Sequence, residues 1–219
     1  MAHLDARTAR RWIEGYTYDH DGELRRSAPI PYLAKADDDG HDGVLDFEQL
    51  LTLLLVQAFR QRGLGLPTIK RAAARAQQVY GSPNPFVTKQ FRSDGNRVFI
   101  DLAVPGQERD LIDVLSDQRQ FHAIVEPSLF KDVVFAGNSA GEWWPLGKDH
   151  AVVLAPARQF GAPLIASKGI RTEVVASMVA AEGGGAEAIT TTADWYCLSL
   201  GEVLDAINFE GPWQSKKAA

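Results

Sequence analysis

Leu4, Thr8/Ala9, Trp12/Ile13 and Tyr16 recur at helical spacing, with Arg7, Arg10, Arg11 and Glu14 on the opposite side. That is the stripe of a helix burying one face. Asp5 stands before it as an N-cap, so the pattern predicts a helix from Ala6 to about Gly15. Residues 16–45 have no sustained period and hold Gly22, Pro29, Pro31, Gly40 and Gly43, which reads as loop or a short β-ribbon. The next stripe runs through Phe47, Leu50, Leu51, Leu54, Leu55, Ala58 and Phe59. Asp46 caps it, with Gln49 in capping-box position, and Gly63 ends it. Pro67 opens a further helix at its first turn, through Ile69, Ala72, Ala73, Ala76 and Val79 to Gly81.

Beyond Pro83 and Pro85 the pattern changes. Phe86 to Phe91 and Arg97 to Val104 read as strands, with Ser93-Asp94-Gly95-Asn96 as the hairpin turn. Glu108 to Leu115 reads as a short helix, and Phe121 to Val125 and Val133 to Ala136 as strands. Val152 to Leu154 and Pro163 to Ile165 suggest a second ribbon. Thr172 is expected to cap a helix to about Ala181, stopped by Gly183-Gly184-Gly185. Helices from Ala186 to Trp195 and from Ser199 to Phe209 follow. The expected domains are 1–82, a mixed α+β middle segment 83–149 with a β-hairpin, 150–211, and a polar tail 212–219 that includes Gln214 to Ala219. The fold class is mainly α with small β-ribbons.

Length and composition narrow the classes. The chain has 219 residues, 45% apolar and 23% charged, as an ordinary folded protein of one large or two small domains has. No apolar run approaches the roughly 18 residues of a membrane span; Leu50 to Phe59 already holds Thr52 and Gln57. The N-terminus lacks a signal pattern, and the lone Cys197 excludes a disulfide framework. The expectation is a cytoplasmic protein with no membrane partner, and with Cys197 as a small core residue.

Net charge is −5, but its distribution is uneven. Residues 32–57 and 98–150 are each net −5. Residues 58–97 carry Arg60, Arg62, Lys70, Arg71, Arg75, Lys89, Arg92 and Arg97 against Asp94 alone, net +7. Screening confines a charge's influence to about 8–10 Å, so the block matters more than the total. It is either a solvated helical face or a phosphate-facing surface.

Two apparent sites fail on their chemistry. Residues 38–49 resemble a calcium loop, with Asp42 and Gly43 in place. Gly40 offers no side-chain oxygen at the third position, however, and Gln49 supplies no bidentate carboxylate at the twelfth. Gly137-Asn138-Ser139-Ala140-Gly141 matches a nucleophile elbow in letters only. The helix that should follow the serine is excluded by Pro145, and Asp149-His150 come too soon for partners. The five histidines are scattered, and no glycine-rich loop precedes a lysine. The expectation is a non-enzyme with no catalytic residue, metal or cofactor.

Thr8-Ala9-Arg10-Arg11-Trp12, the ribbon-like stretch and the helix pair Leu45 to Gly65 and Leu66 to Tyr80 resemble a winged helix-turn-helix of the MerR kind over residues 4–82. The sequence begins three residues before Leu4, so the family's first helix is expected to be missing from this pattern. Phe160-Gly161-x-Pro163-Leu164-Ile165, Gly169-Ile170-Arg171-Thr172, Glu182-Gly183-Gly184, Tyr196-x-Leu198-Ser199 and Ala206-Ile207-x-Phe209-Glu210 resemble a helix-turn-helix domain of bacterial antitoxins. Together they resemble the long VapB-type antitoxins with a MerR-like front end. The resemblance implies two helix-turn-helix-type domains, a PIN-like ribonuclease toxin as partner, operator DNA, autoregulation and a homodimer. It implies DNA contact through Arg7, Thr8, Arg10, Arg11, Arg25, Arg26, Lys70, Arg71 and Arg75. The last helix offers Glu202 and Asp205 and no base, a poor groove reader, so the C-terminal part is expected to pack against protein. The alternatives are a protein-interaction module without DNA binding and a stand-alone MerR-like regulator.

Overall fold

The computed structural model describes residues 5–31, 33, 45–102, 117–128 and 130–217; the side chains at 100, 101, 120, 124, 126–128, 130 and 212–217 are outside the description. The chain is mainly helical, with small antiparallel ribbons. It divides into two compact units, one of Ala2–Lys131 with Phe135–Ala140, the other of Asp132–Val134 with Gly141–Ala219.

The N-terminal unit opens with α1, Ala6–Glu14, whose cap Asp5 accepts the Thr8 amide at 3.0 Å. Trp12 is buried and Arg7, Arg10, Arg11 and Glu14 are exposed, as the stripe predicts. Strands β1, Tyr16–His20, and β2, Glu23–Ser27, form the ribbon, turned by Asp21-Gly22 with both residues at positive φ. That geometry is the two-residue hairpin turn that an Asp-Gly pair favours. Helix α2, Phe47–Gln61, has its capping box from Asp46 and Gln49. From Leu51 to Phe59 it is buried at every position but Leu54. Helix α3, Leu66–Tyr80, starts with Pro in its first turn and ends at Gly81 in the left-handed region. The loop at Asp38 to Gly43 and the helix expected at Glu108 to Leu115 lie outside the described residues.

The middle segment departs from expectation. Where two strands and a hairpin turn were expected there are α4, Lys89–Asp94, and α5, Asn96–Leu102, preceded by a 3-10 turn at Pro85–Val87. Thr88 is the cap that the strand reading overlooks: its hydroxyl accepts the Phe91 amide at 3.0 Å and donates to the Pro85 carbonyl at 2.8 Å. Gly95 is helical rather than a hairpin residue, and a Cβ there would overlap the Phe121 ring and the Phe91 carbonyl. Phe121 to Val125 is likewise no strand but part of α6, Gln118–Ser128, burying Phe121 and Val125 four residues apart. The reason is tertiary. Phe59 lies 6.1 Å from Phe86 and 5.7 Å from Phe99, while Phe91 lies 4.9 Å from Phe86 and 5.6 Å from Phe121. Helical spacing delivers these rings to one cluster.

The β-hairpin of this segment is instead β3, Val133–Ala136, with β4, Ser139–Trp143. The apparent nucleophile elbow is its turn. Asn138 accepts the Lys89 amide at 2.9 Å through its carbonyl and the Gln90 amide at 3.1 Å through its side chain. It thereby satisfies amides that a helix start leaves open.

In the C-terminal unit β5, Val152–Val153, β6, Leu164–Ile165, and β7, Ile170–Arg171, form one small antiparallel sheet. Helices α7, Thr172–Ala181, α8, Ala186–Tyr196, and α9, Leu200–Lys217, follow. Val152, Ile165, Val175, Val179, Ala188, Ala193, Leu198, Val203 and Ala206 form the core. Arg171, not Thr172, takes the cap position of α7; Thr172 is fully buried and donates to Glu210 Oε1 at 2.6 Å. Cys197 is exposed rather than in the core, because it takes the left-handed position that ends α8 and leaves Leu198 to point inward. Helix α9 continues through Gly211-Pro212 to Lys217, where an end near Phe209 and a tail were expected.

Ser199 and Glu202 cap α9 reciprocally, and Ser167 also donates to Glu202. Burial raises the Glu202 pKa, but these hydrogen bonds and the charge of Lys168 outweigh it and hold the carboxyl below its ordinary value of 4.5. Their stabilisation is therefore present above about pH 4.5 and is lost as pH falls through the depressed folded-state value. In thermal unfolding, Glu202→Gln should lower the melting temperature at neutral pH and shrink its fall on acidification. Phe59→Ala should cost about 3–5 kcal/mol in denaturant unfolding, because four helices converge on that ring's cluster.

Candidate nucleic-acid interface

Helix α1 places Arg7, Arg10 and Arg11 on its solvent side. Thr8 is occupied locally: its amide and hydroxyl both donate to Asp5 Oδ2, at 3.0 and 3.3 Å. Arg10 meets Glu14 at 3.6 Å, an exposed pair of small energetic weight. Arg11 stacks over Tyr16, 5.4 Å from the ring centroid.

The ribbon supplies the second element. Strand alternation places Tyr16, Tyr18 and Arg25 on one face and Thr17, Leu24 and Arg26 on the other. Arg25 and Arg26, expected to act together, are thus on opposite faces. Tyr16 and Tyr18 lie 5.8 Å apart and Arg25 is directly across from Tyr18. With Arg11 over Tyr16, this face is a row of two tyrosines flanked by two guanidiniums. Tyr16, placed by its spacing on the buried stripe of α1, is instead the first residue of β1, and Tyr18 carried no sequence expectation; the signal was Tyr-x-Tyr running into Asp-Gly. The ribbon's far end is acidic, carrying exposed Asp19, Asp21 and Glu23. A phosphate would be favoured toward the strand base and α1, not the tip.

Helix α3 supplies the third. Arg71 donates to Thr68 Oγ1 at 3.2 Å and Arg75 to Gln78 Oε1 at 3.3 Å, contacts along their own helix; Arg71 is exposed and Arg75 half-buried. Lys70 is different. Its ammonium donates to Ser27 Oγ at 3.2 Å and to the Ala28 carbonyl. Burial lowers its pKa, and both acceptors are neutral. Lys70 thus fastens the end of β2 to α3. Nearby, the Ile30 amide donates to the Trp12 carbonyl at 2.9 Å and ties the same chain segment to α1. Two other bases of the block make contacts within the unit: Arg60, which is exposed, donates to the Leu64 carbonyl at 2.6 Å, and Arg92 lies over Phe135 at 5.9 Å.

No protein-family model matches the chain, and no curated protein matches it. Among solved structures, Rv2018 from Mycobacterium tuberculosis, determined by X-ray crystallography, is similar with a TM-score of 0.64 at 24% identity, over 82% of this chain and 85% of that one. The likeness is one of fold.

Lys70→Met keeps the stem and removes the donor. It should cost about 1 kcal/mol of stability and speed hydrogen exchange in β1 and β2 ahead of α2, read residue by residue.

Proposed function

We propose that the protein is a non-enzymatic antitoxin and autoregulator, in which the N-terminal unit contacts operator DNA and the C-terminal unit engages a PIN-like ribonuclease toxin. In finer terms the fold is then two helix-turn-helix-type domains, 1–82 and 150–211, on either side of segment 83–149. The observation that carries the DNA arm is the tying of the Arg-faced α1 and the ribbon to α3 through Trp12–Ile30 and Lys70–Ser27. Arginines on a short helix can reach phosphates and guanine edges, and a fixed frame is what gives such contacts a register. Arg7, Arg10 and Arg11 are the candidate readers. Arg25, Arg71 and Arg75 are candidate phosphate contacts, whereas Lys70 positions the ribbon.

The toxin arm rests on the order of C-terminal segments set out above and on one feature of that unit. Phe160 is 100% exposed, and Gln159, Phe160 and Gly161 all hold positive φ, at 47°, 57° and 78°. A left-handed phenylalanine is strained, and such strain gathers at functional positions. Hydrogen bonds from the Arg158 amide to Ala155 and from its guanidinium to Ala166 hold the loop. A large ring fixed in water in this way fits an anchor for a partner protein.

Anisotropy on the DNA upstream of the protein's own reading frame tests the first arm. Combined Arg7/Arg10/Arg11→Ala should weaken binding by about 1–3 kcal/mol for each base that is no longer read, and relax sequence preference. Arg71→Ala and Arg75→Ala should each flatten the salt slope by about one, while Lys70→Met should leave the slope as it was, because Lys70 releases no counterion. Parent-like binding by the triple variant would remove α1 as the reader. For the second arm, Phe160→Ser should reduce protection of cells from the product of the adjacent reading frame without lowering the melting temperature.

A further inference from the structure

Three arginines face solvent on α1, and their surroundings differ. Arg10 sets its Nε 3.6 Å from Glu14 Oε1, so one of its edge donors is turned to a carboxylate of the same helix. Arg7 is exposed in the first turn, and among the described residues no hydrogen bond or ion pair holds it. Arg11 lies over a ring, its guanidinium carbon 5.4 Å from the Tyr16 centroid. A guanidinium over an aromatic ring uses its flat face and keeps the N–H groups at its edge for other acceptors.

A continued helix does not make that contact. Residues 11 and 16 are five apart and would then point about 140° from one another. Gly15 breaks the helix, with φ at 77°. A Cβ there would lie 2.5 Å from the Ser27 carbonyl oxygen, so the turn from α1 into β1 has room for glycine alone. Tyr16 therefore opens β1 directly across from Ser27, whose hydroxyl accepts from the Lys70 ammonium at 3.2 Å. Its ring lies 5.8 Å from that of Tyr18 on the same strand. The ring under Arg11 is thus placed from α3 through Ser27 and from β1 through Tyr18.

We infer that Tyr16 is a positioning residue that presets Arg11 as the base-reading side chain of α1, with Arg7 and Arg10 as phosphate contacts. The inference rests on the operator reading proposed above and adds a division of labour to it. Bidentate reading of a guanine edge needs a planar fork held at one angle with two donors unspent. Arg11 over Tyr16 meets both needs. Arg10 is held, but with a donor turned to Glu14, and Arg7 has its donors but no fixed angle. Phosphate attraction depends on charge and proximity and needs no such angle.

Anisotropy with the duplex upstream of the reading frame and with its single-base variants tests the inference, together with the Arg11 Nε–H resonance of the free full chain. Arg11→Ala should lower discrimination at one base position about ten- to a hundredfold. Tyr16→Leu should lower it at that same position about two- to fivefold, leave the salt slope parent-like and move the Arg11 resonance from its ring-shifted place. Tyr16→Phe keeps the ring and should preserve both. In the Arg11→Ala background Tyr16→Leu should change nothing further, which separates positioning from a merely structural part in the ribbon. A Tyr16→Leu variant that discriminates like the parent overturns the proposal. So does a Tyr16→Leu loss that persists without Arg11, or a Tyr16→Phe loss of the same size. A parent that binds none of that DNA overturns the operator reading and this division of labour together, whereas a binding parent whose Arg11 is indifferent to Tyr16 overturns this proposal alone.

Discussion

The Lys70 ammonium, on a half-buried side chain, donates to two neutral oxygens at the end of β2, and the placement of the basic face of the N-terminal unit depends on those bonds. A two-stranded ribbon is marginal by itself in water. Here most of its side chains are exposed, so burial contributes little to holding it. What fixes it is polar: the Lys70 bonds at one end and the Ile30–Trp12 backbone bond beside them. An ammonium donating to neutral acceptors gains less than one meeting a carboxylate, which is consistent with its lowered pKa. The bond is directional all the same, and direction is what an element presenting arginines needs.

Carboxylates play the corresponding part in the C-terminal unit, where the strands of the β5–β6–β7 sheet are only two residues long. Asp205 reaches the chain just before β5, Glu202 the turn between β6 and β7, and Glu210 the first residue of α7. One helix therefore anchors the rest of its unit at three heights, each by a charge-assisted hydrogen bond, stronger than a neutral one. The same bonds strip the outer face of α9 of charge. Internal anchoring and a neutral surface are two results of one orientation of three side chains.

The parts of the fold legible in sequence are those where local chemistry and tertiary need agree. Asp5, Asp46 with Gln49, Pro67 and Gly81 each end or begin a helix for reasons contained within four residues. The Asp-Gly pairs show where legibility ends. Asp21-Gly22 is the hairpin turn, between strands with no competing core to join. Asp94-Gly95, the same dipeptide, is helical, because Phe91 and Phe99 must converge with Phe121 and the missing Cβ admits that ring. Phenylalanine-rich flanks favour strands on propensity, but propensity is weaker than the burial of five rings. The candidate interface was half visible for a similar reason. Arg7, Arg10 and Arg11 show on a helical stripe, whereas the Tyr16–Tyr18–Arg25 face exists only once the register of the ribbon is known.

Formal charge is a poor guide to this surface for the same physical reason. Counting −5 treats each ionisable group as equally available to a partner. Lys70 is committed to Ser27 and Ala28, and Arg60 and Arg92 each make a contact within the N-terminal unit, so the cations of the block 58–97 are not equally available to a partner. Glu202, Asp205 and Glu210 accept from their own unit, so α9 presents fewer anions than its sequence suggests. The argument that an acidic last helix cannot approach DNA then changes its footing. Repulsion by carboxylates turned inward is weak. Helix α9 also takes in Lys216 and Lys217, so the base-free reading holds only from Leu200 to Gly211, where the exposed positions of the outer face carry nothing with which to bind a phosphate. A partner protein, which can bury leucines, is the remaining fit for that face.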